Sequence, residues 1–212
     1  MSDVRWDDAR RVEAWAGEVR VNLLRVAALV VFYGHHLLNA YVWSDDPGLR
    51  GRYTASVTVI VLTWSVAAGT LHVCLHRRWC PPGLKYVAVF WDLALVSALL
   101  IIGGEGPRTP LVLLYFVVVA SAALRLSLPL VAATTLGAMA AAILVMGHYV
   151  FISVGRDAYY APDSAYRMAR SHEIIFLLAL GACGLLAGQS VRQARRLVAG
   201  YAVLVDEPAE AA

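Results

Sequence analysis

Residues 86–124 read YVAVFWDLALVSALLIIGGEGPRTPLVLLYFVVVASAAL, and the fold is decided there. Two apolar blocks, 86–102 and 110–124, contain one carboxylate between them, Asp92, and are separated by a break rich in Gly, Pro and charge. Crossing about 30 Å of hydrocarbon at about 1.5 Å per residue takes roughly 20 residues, a length both blocks approach. Working outward, similar blocks occupy 26–43, 54–75, 127–153 and 173–191. The 212 residues are 60% hydrophobic and 16% charged. Soluble domains are roughly 45–50% apolar and about 25% charged, so a water-soluble fold could not hide this surface. The expected fold is all-α, a polytopic membrane protein built as a six-transmembrane-helix bundle with an N-terminal amphipathic helix.

The blocks at 110–124 and 127–153 nearly run together, interrupted by Arg125, Ser127 and Pro129. One helix through both would outgrow any bilayer. A hairpin is therefore expected, with Arg125 at the interface and Pro129 in the first turn of the next helix. Lys and Arg then set the orientation. Arg5, Arg10, Arg11, Arg20, Arg25, Arg77, Arg78, Lys85, Arg125, Arg192, Arg195 and Arg196 fall on one side. Arg50, Arg52, Arg108, Arg156, Arg167 and Arg170 fall on the other, among Asp45, Asp46, Glu105, Asp157 and Asp163. The richer side is read as cytoplasmic, which puts both termini there and the chain in the cell inner (plasma) membrane. Tyr41, Trp43, Tyr53, Trp79 and Tyr86 fit an interfacial aromatic belt.

Three regions follow. Residues 1–25 are read as a cytoplasmic amphipathic segment, capped at Ser2 or Asp3, with Val12, Trp15 and Val19 as its apolar stripe. Its acidic residues, Asp3, Asp7, Asp8, Glu13 and Glu18, do not suit a signal peptide, so the first block is read as an uncleaved span. Residues 26–191 form the six-span domain, and 192–212 a cytoplasmic helix extension and tail. The connection 154–172 is read as a solvated loop, with a short fold-back helix or a contact with an external partner as the alternative.

An ionisable group at the bilayer centre costs roughly 2.5 to 3.5 kcal/mol on insertion scales, so each one calls for a partner or a purpose. Asp92 lies about 10 Å into its helix, within reach of Arg125 at the end of the next. The expectation is an intramembrane polar pair, Asp92 with Arg125, fixing helix packing; a proton or ligand role is the alternative. His35 and His36 with His148 or His172 have the residue type for a haem or metal site, but no specific spacing. His72, Cys74, His76 and Cys80 cluster at the end of the second span, again without a metal signature. Hydrogen-bonded or interfacial histidines account for both groups, so no metal and no cofactor is expected. The three cysteines, Cys74, Cys80 and Cys183, do not suggest a disulfide framework. The small-residue runs 137–142 and 181–188 permit close helix packing or a homodimer.

No phosphate-binding glycine loop, Gly-x-Ser-x-Gly or His-Glu-x-x-His motif is present, so no catalytic residue is assigned. The net charge is +3, and all but one of the 18 basic residues are arginines scattered at segment ends. Nucleic acid is not an expected partner.

Asp92, Gly103 and Gly104, Pro107, Thr109 before Pro110, Leu114, Tyr115 and Phe116, and the run Ala120, Ser121, Ala122 and Ala123 form a pattern. It resembles the six-span sensor (input) regions of bacterial histidine kinases of the pilus-regulation type. The resemblance covers about 40 residues and the span count. It makes Gly103, Gly104, Pro110 and Tyr115 the turn motif and implies a two-component signalling role with a cytoplasmic kinase as partner. The family pattern then departs, because no phosphoacceptor or ATP-binding segment follows Asp206 and Glu207. The expectation is a non-enzymatic input module that works through the last helix on a cytoplasmic partner, or the membrane part of a longer protein. Two alternatives have other signatures: a haem or metal redox protein would be coloured or metal-bearing, and a small transporter or assembly subunit would move a solute or co-purify with fixed partners.

Overall fold

The computed structural model describes residues 2–43, 51, 53–77, 81, 83–102, 108–161, 164 and 170–206, and among these there is no strand. The described residues form seven α-helices: α1 (Ser2–Leu38), α2 (Thr54–His76), α3 (Leu84–Ile102), α4 (Leu114–Ala123), α5 (Leu128–His148), α6 (Arg156–Tyr159) and α7 (Arg170–Asp206). Single π-turns extend α1 over Asn39–Trp43 and α5 over Tyr149–Ser153. Among the described residues five helices are long and apolar enough to cross a membrane, and Pro110–Ala123 is a shorter apolar helix. The chain is an all-helical, multi-pass membrane protein.

The shortness of α4 has a local cause. Thr109 accepts the Leu111 amide, Pro110 opens a 3-10 turn through Leu113, and α4 grows from that turn. Fourteen residues at about 2.0 and 1.5 Å per residue span roughly 23 Å, less than the hydrocarbon thickness. α3, α5 and α7 pack on one side of α4, where Tyr115, Val119 and Ala122 are fully buried, while a second face with Leu113, Val117 and Leu124 stays exposed. The far end of α4 comes where Leu124, Arg125 and Leu126 tighten into i→i+3 hydrogen bonds. Leu126 adopts φ 49°, Ser127 is extended, and Pro129 falls in the first turn of α5. The chain thus reverses at the hairpin expected from Arg125 and Pro129.

The first helix departs from the sequence reading. There is no break near residue 25, and α1 runs unbroken from Ser2 into the apolar block. From Trp15 onward it is docked on the bundle: Trp15 donates its indole N–H to the Leu75 carbonyl, and Val21, Asn22 and Arg25 are buried. Gly17 lies against the backbone of Leu124 and Arg125, where an added Cβ would come within 3.0 Å of the Leu124 oxygen. The side chain of Val12 lies outside the described residues. The 154–172 connection is also partly folded. Gly155, at φ 86°, turns the chain into α6, whose Tyr159 is fully buried and donates to Glu173 of α7.

The core lies between α3, α4, α5 and α7, where Val96, Leu100, Leu130, Ala138, Tyr149 and Leu180 are buried. Large apolar side chains such as Phe90, Leu144, Phe151 and Leu185 point outward, as a lipid solvent requires. Packing between α5 and α7 uses the small-residue run: Gly184 meets Thr135, and Gly188 faces Leu128. Any side chain at 184 would collide with Thr135, whereas Gly181 faces open space. Overpacking of this kind costs about 1–3 kcal/mol. Gly184→Val is therefore expected to lower the melting temperature in detergent by several degrees, with Gly181→Val near wild type; equal melting curves for both would refute this packing.

Candidate functional site

Asp92 is on α3, one residue after Trp91 turns toward lipid and one before Leu93 enters the core, and only 6% of it is exposed. Its partner is Arg25 of α1. Arg25 Nε donates to Asp92 Oδ1 at 2.8 Å and Nη2 to Oδ2 at 2.5 Å, a two-pronged ion pair between helices 67 residues apart. Trp64 of α2 donates its indole N–H to the same Oδ1 at 2.8 Å. Asn22, one turn before Arg25, accepts from Nη1 at 3.1 Å and donates its amide to the Ala68 carbonyl at 3.3 Å. Three helices are therefore joined through one carboxylate. Planar guanidinium matches carboxylate in both prongs, which suits Arg here where Lys would make one contact.

The sequence reading pairs Asp92 with Arg125; the structure gives Arg125 to Glu18 instead. Arg125 Nη2 meets Glu18 Oε2 at 3.0 Å, and Nη1 donates to the Lys85 carbonyl at 3.2 Å, while Nε is buried without a partner. Burial draws the Arg125 guanidinium below its ordinary pKa, Glu18 opposes that shift, and the nearby Arg25 and Asp92 pull in opposite directions. The reason for the exchange is the continuity of α1, which carries Glu18 to the hairpin and Arg25 two turns deeper. At the same end, Arg195 of α7 donates through Nε to the Leu126 carbonyl at 2.9 Å. The α4–α5 hairpin is thus held from α1 on one side and from α7 on the other.

Above the Arg25–Asp92 pair, α1, α2, α3 and α4 enclose a cavity of about 300 Å³. Arg25, Trp64 and Asp92 form its floor toward the hairpin end. Tyr33, His36, Asn39, Tyr53 and Thr109 line the opposite end, and apolar side chains make the walls. Leu24, Phe32 and Val117 line the cavity and yet are 40%, 45% and 38% exposed, so they form its mouth, between α1 and α4. These two helices are bridged below, at Gly17, Glu18 and Arg125. The cavity has the size and largely apolar lining of a small-molecule site.

The other sequence candidates are placed as follows. Gly103, Gly104 and Cys80 lie outside the described residues. Pro110 starts the turn before α4, and Tyr115 is buried with its hydroxyl 2.8 Å from Ser97 of α3. Since Ser97 donates to the Leu93 carbonyl, Tyr115 donates to Ser97. His35 makes an edge contact with Trp43, and His36 stacks on Tyr33 and meets Tyr53 edge-on. His148 lies beside Tyr149 on α5, and His172 is exposed on α7. The histidines of α1 thus sit by α2, and His148 and His172 belong to the α5–α7 side. Among the described residues no group of three or more His, Cys, Asp or Glu is arranged to hold a metal. Arg25, Trp64 and the cavity are what sequence reasoning missed; Trp64 gave no signal beyond being an indole N–H within an apolar span.

Removing one partner of a buried ion pair leaves the other charge uncompensated, at about 3–5 kcal/mol, whereas an apolar replacement of both is often nearly neutral. Asp92→Leu alone is expected to lower thermal stability sharply, and Arg25→Met with Asp92→Leu to recover most of the loss. Additive losses in the double variant, measured by melting in detergent, would break the assigned pairing. No family model, no curated protein and no solved structure matches the chain, so the assignment of this site rests on its geometry.

Proposed function

We propose that the chain is a non-enzymatic membrane signal-input module, in which occupancy of the cavity beside α4 shifts helix packing and is reported by α7. The observation that carries this reading is the double duty of α4. One face, with Leu114, Val117 and Ser121, lines the cavity, while Phe116 packs edge-on against Phe176 of α7 at 5.5 Å. The hairpin that follows is gripped by Glu18 of α1 and by Arg195 of α7. A displacement of α4 therefore reaches α7 along its length and at its end. Such a relay needs two discrete packings that the occupant favours unequally.

The output element is α7 itself. Its apolar span covers Ser171–Val198, and the helix continues to Asp206. Its 37 residues extend about 55 Å, roughly 25 Å beyond the hydrocarbon thickness. With the arginine-rich side inward, the excess emerges in the cytoplasm, where a kinase or other signalling protein is the partner this reading expects. The resemblance to six-span sensor regions points to the same class.

The test is a distance measurement between spin labels at Arg77, at the end of α2, and Leu197, on α7, in lipid nanodiscs. Val117→Trp, which fills the mouth of the cavity, is expected to shift the distance by on the order of 1–2 Å or to change its distribution, as helix shifts at packed interfaces do. An unchanged distribution in a folded Val117→Trp protein would remove the coupling on which the proposal stands.

A further inference from the structure

Every strong charge at the cavity is already matched. Asp92 Oδ1 accepts from Arg25 and Trp64, Oδ2 accepts from Arg25, and Arg25 Nη1 is taken up by Asn22. A charged ligand would give up its hydration on entering, with no free counter-charge on the floor to replace it. Around this floor the walls are apolar, with Leu29, Ile60, Leu99, Leu114 and Val118 among them. The occupant that these surfaces fit is neutral and hydrocarbon-like where it meets them.

The mouth shows where such an occupant comes from. Leu24 and Phe32 of α1 and Val117 of α4 form its rim, and they belong to apolar helices whose exterior is hydrocarbon. Leu24 and Phe32 are about 12 Å apart along α1 at about 1.5 Å per residue, so the mouth is a slot along the helix axis, the direction in which lipid chains run. The exposed face of α4 continues this surface to either side of Val117, through Leu113 and Leu124. Lipid packed on that face meets a helix of roughly 23 Å, about 7 Å short of the hydrocarbon thickness. Its chains are longer than the surface they cover, and the slot beside Val117 gives the excess a place to go. We infer that the cavity takes up the end of an acyl chain from a phospholipid of the surrounding bilayer, and that its occupancy rises with chain length. This deepens the signal-input reading by naming bilayer thickness as the stimulus, and it rests on that reading only for its consequence, not for the binding itself.

Binding is read directly, apart from any helix movement. Phosphatidylcholine with a diazirine at the end of one acyl chain is mixed in trace amount into nanodiscs holding the full chain, its length matched to the host lipid. After irradiation, mass spectrometry maps the adducts. Leu113 and Leu185 are open to lipid, whereas Ile60, Leu114 and Val118 are buried and line the cavity. Adducts at the second set report a chain that has entered, and their ratio to the first set measures occupancy. That ratio is expected to rise severalfold from dimyristoleoyl- to dierucoyl-phosphatidylcholine, because the cost of mismatch grows with each Å. Leu24→Trp and Val117→Trp, from opposite sides of the mouth, should each abolish the cavity adducts and leave Leu185 labelled as before. Melting in detergent checks that each variant folds, and the wild-type series needs neither. A free fatty acid carrying the same diazirine separates the sources of the chain. Adducts confined to outward residues, a ratio indifferent to chain length, cavity adducts that survive both tryptophans, or cavity labelling by the fatty acid alone would each overturn the inference. These outcomes leave the Arg77–Leu197 distance measurement untouched, so the two failures are distinguishable.

Discussion

The Asp92 carboxylate is the point on which the bundle turns. A lone carboxylate in hydrocarbon would take up a proton or be expelled, because nothing there replaces its hydration. Arg25 and Trp64 replace it with three directed hydrogen bonds from two other helices. The carboxylate in turn fixes the rotation of α1 and α2 about their axes, since only one face of each carries the donor. In a solvent where apolar burial does little to hold helices together, such directional contacts and close small-residue packing set the register. Gly184 against Thr135 and Gly137 against Leu93 supply the second kind, at α5–α7 and α5–α3. The α1–α2 pair depends on the first.

That division explains the shape of the site. Where α3, α4, α5 and α7 meet, small residues allow close approach, and the interior is filled. Where α1 and α2 join the bundle, polar side chains make the contacts: Trp15 and Asn22 on α2 carbonyls, Arg25 and Trp64 on Asp92. A cavity remains above the ion pair, roofed by Tyr33, His36 and Tyr53. The Glu18–Arg125 bridge closes the same gap below. The mouth between α1 and α4 is the part of that seam which neither contact covers.

Much of this was legible in the residues. The apolar blocks announce the spans, and Arg125 with Pro129 announces the hairpin, because a charge and a ring without an N–H both resist a continuous helix there. Asp92 stands out for its cost. Its partner does not, since Arg25 precedes the first apolar block and reads as a basic flank; the missing signal was helical continuity through Asn22 and Arg25, which brings both into the bundle. The same misreading sent Arg125 to Asp92 and left Glu18 as a surface charge. The cavity was not legible at all, because it depends on the spacing between helices from four parts of the chain. Nor did the sequence distinguish the inward glycines of α7, Gly184 and Gly188, from Gly181, which faces open space.

The separation of Arg25 from Asp92 along the chain has a consequence for biogenesis. Translation at about 5–20 residues per second delivers α1 and α2 several seconds before α3. During that interval the guanidinium has no counterion, and Asn22 is its one local acceptor. On insertion scales an arginine at mid-span costs roughly 2.5–3.5 kcal/mol, so α1 would ride high, its Arg25 reaching for headgroups, until the third helix arrives. Docking of Asp92 then draws α1 down to its final depth. The depth of the first helix is thus set only once the third has been inserted.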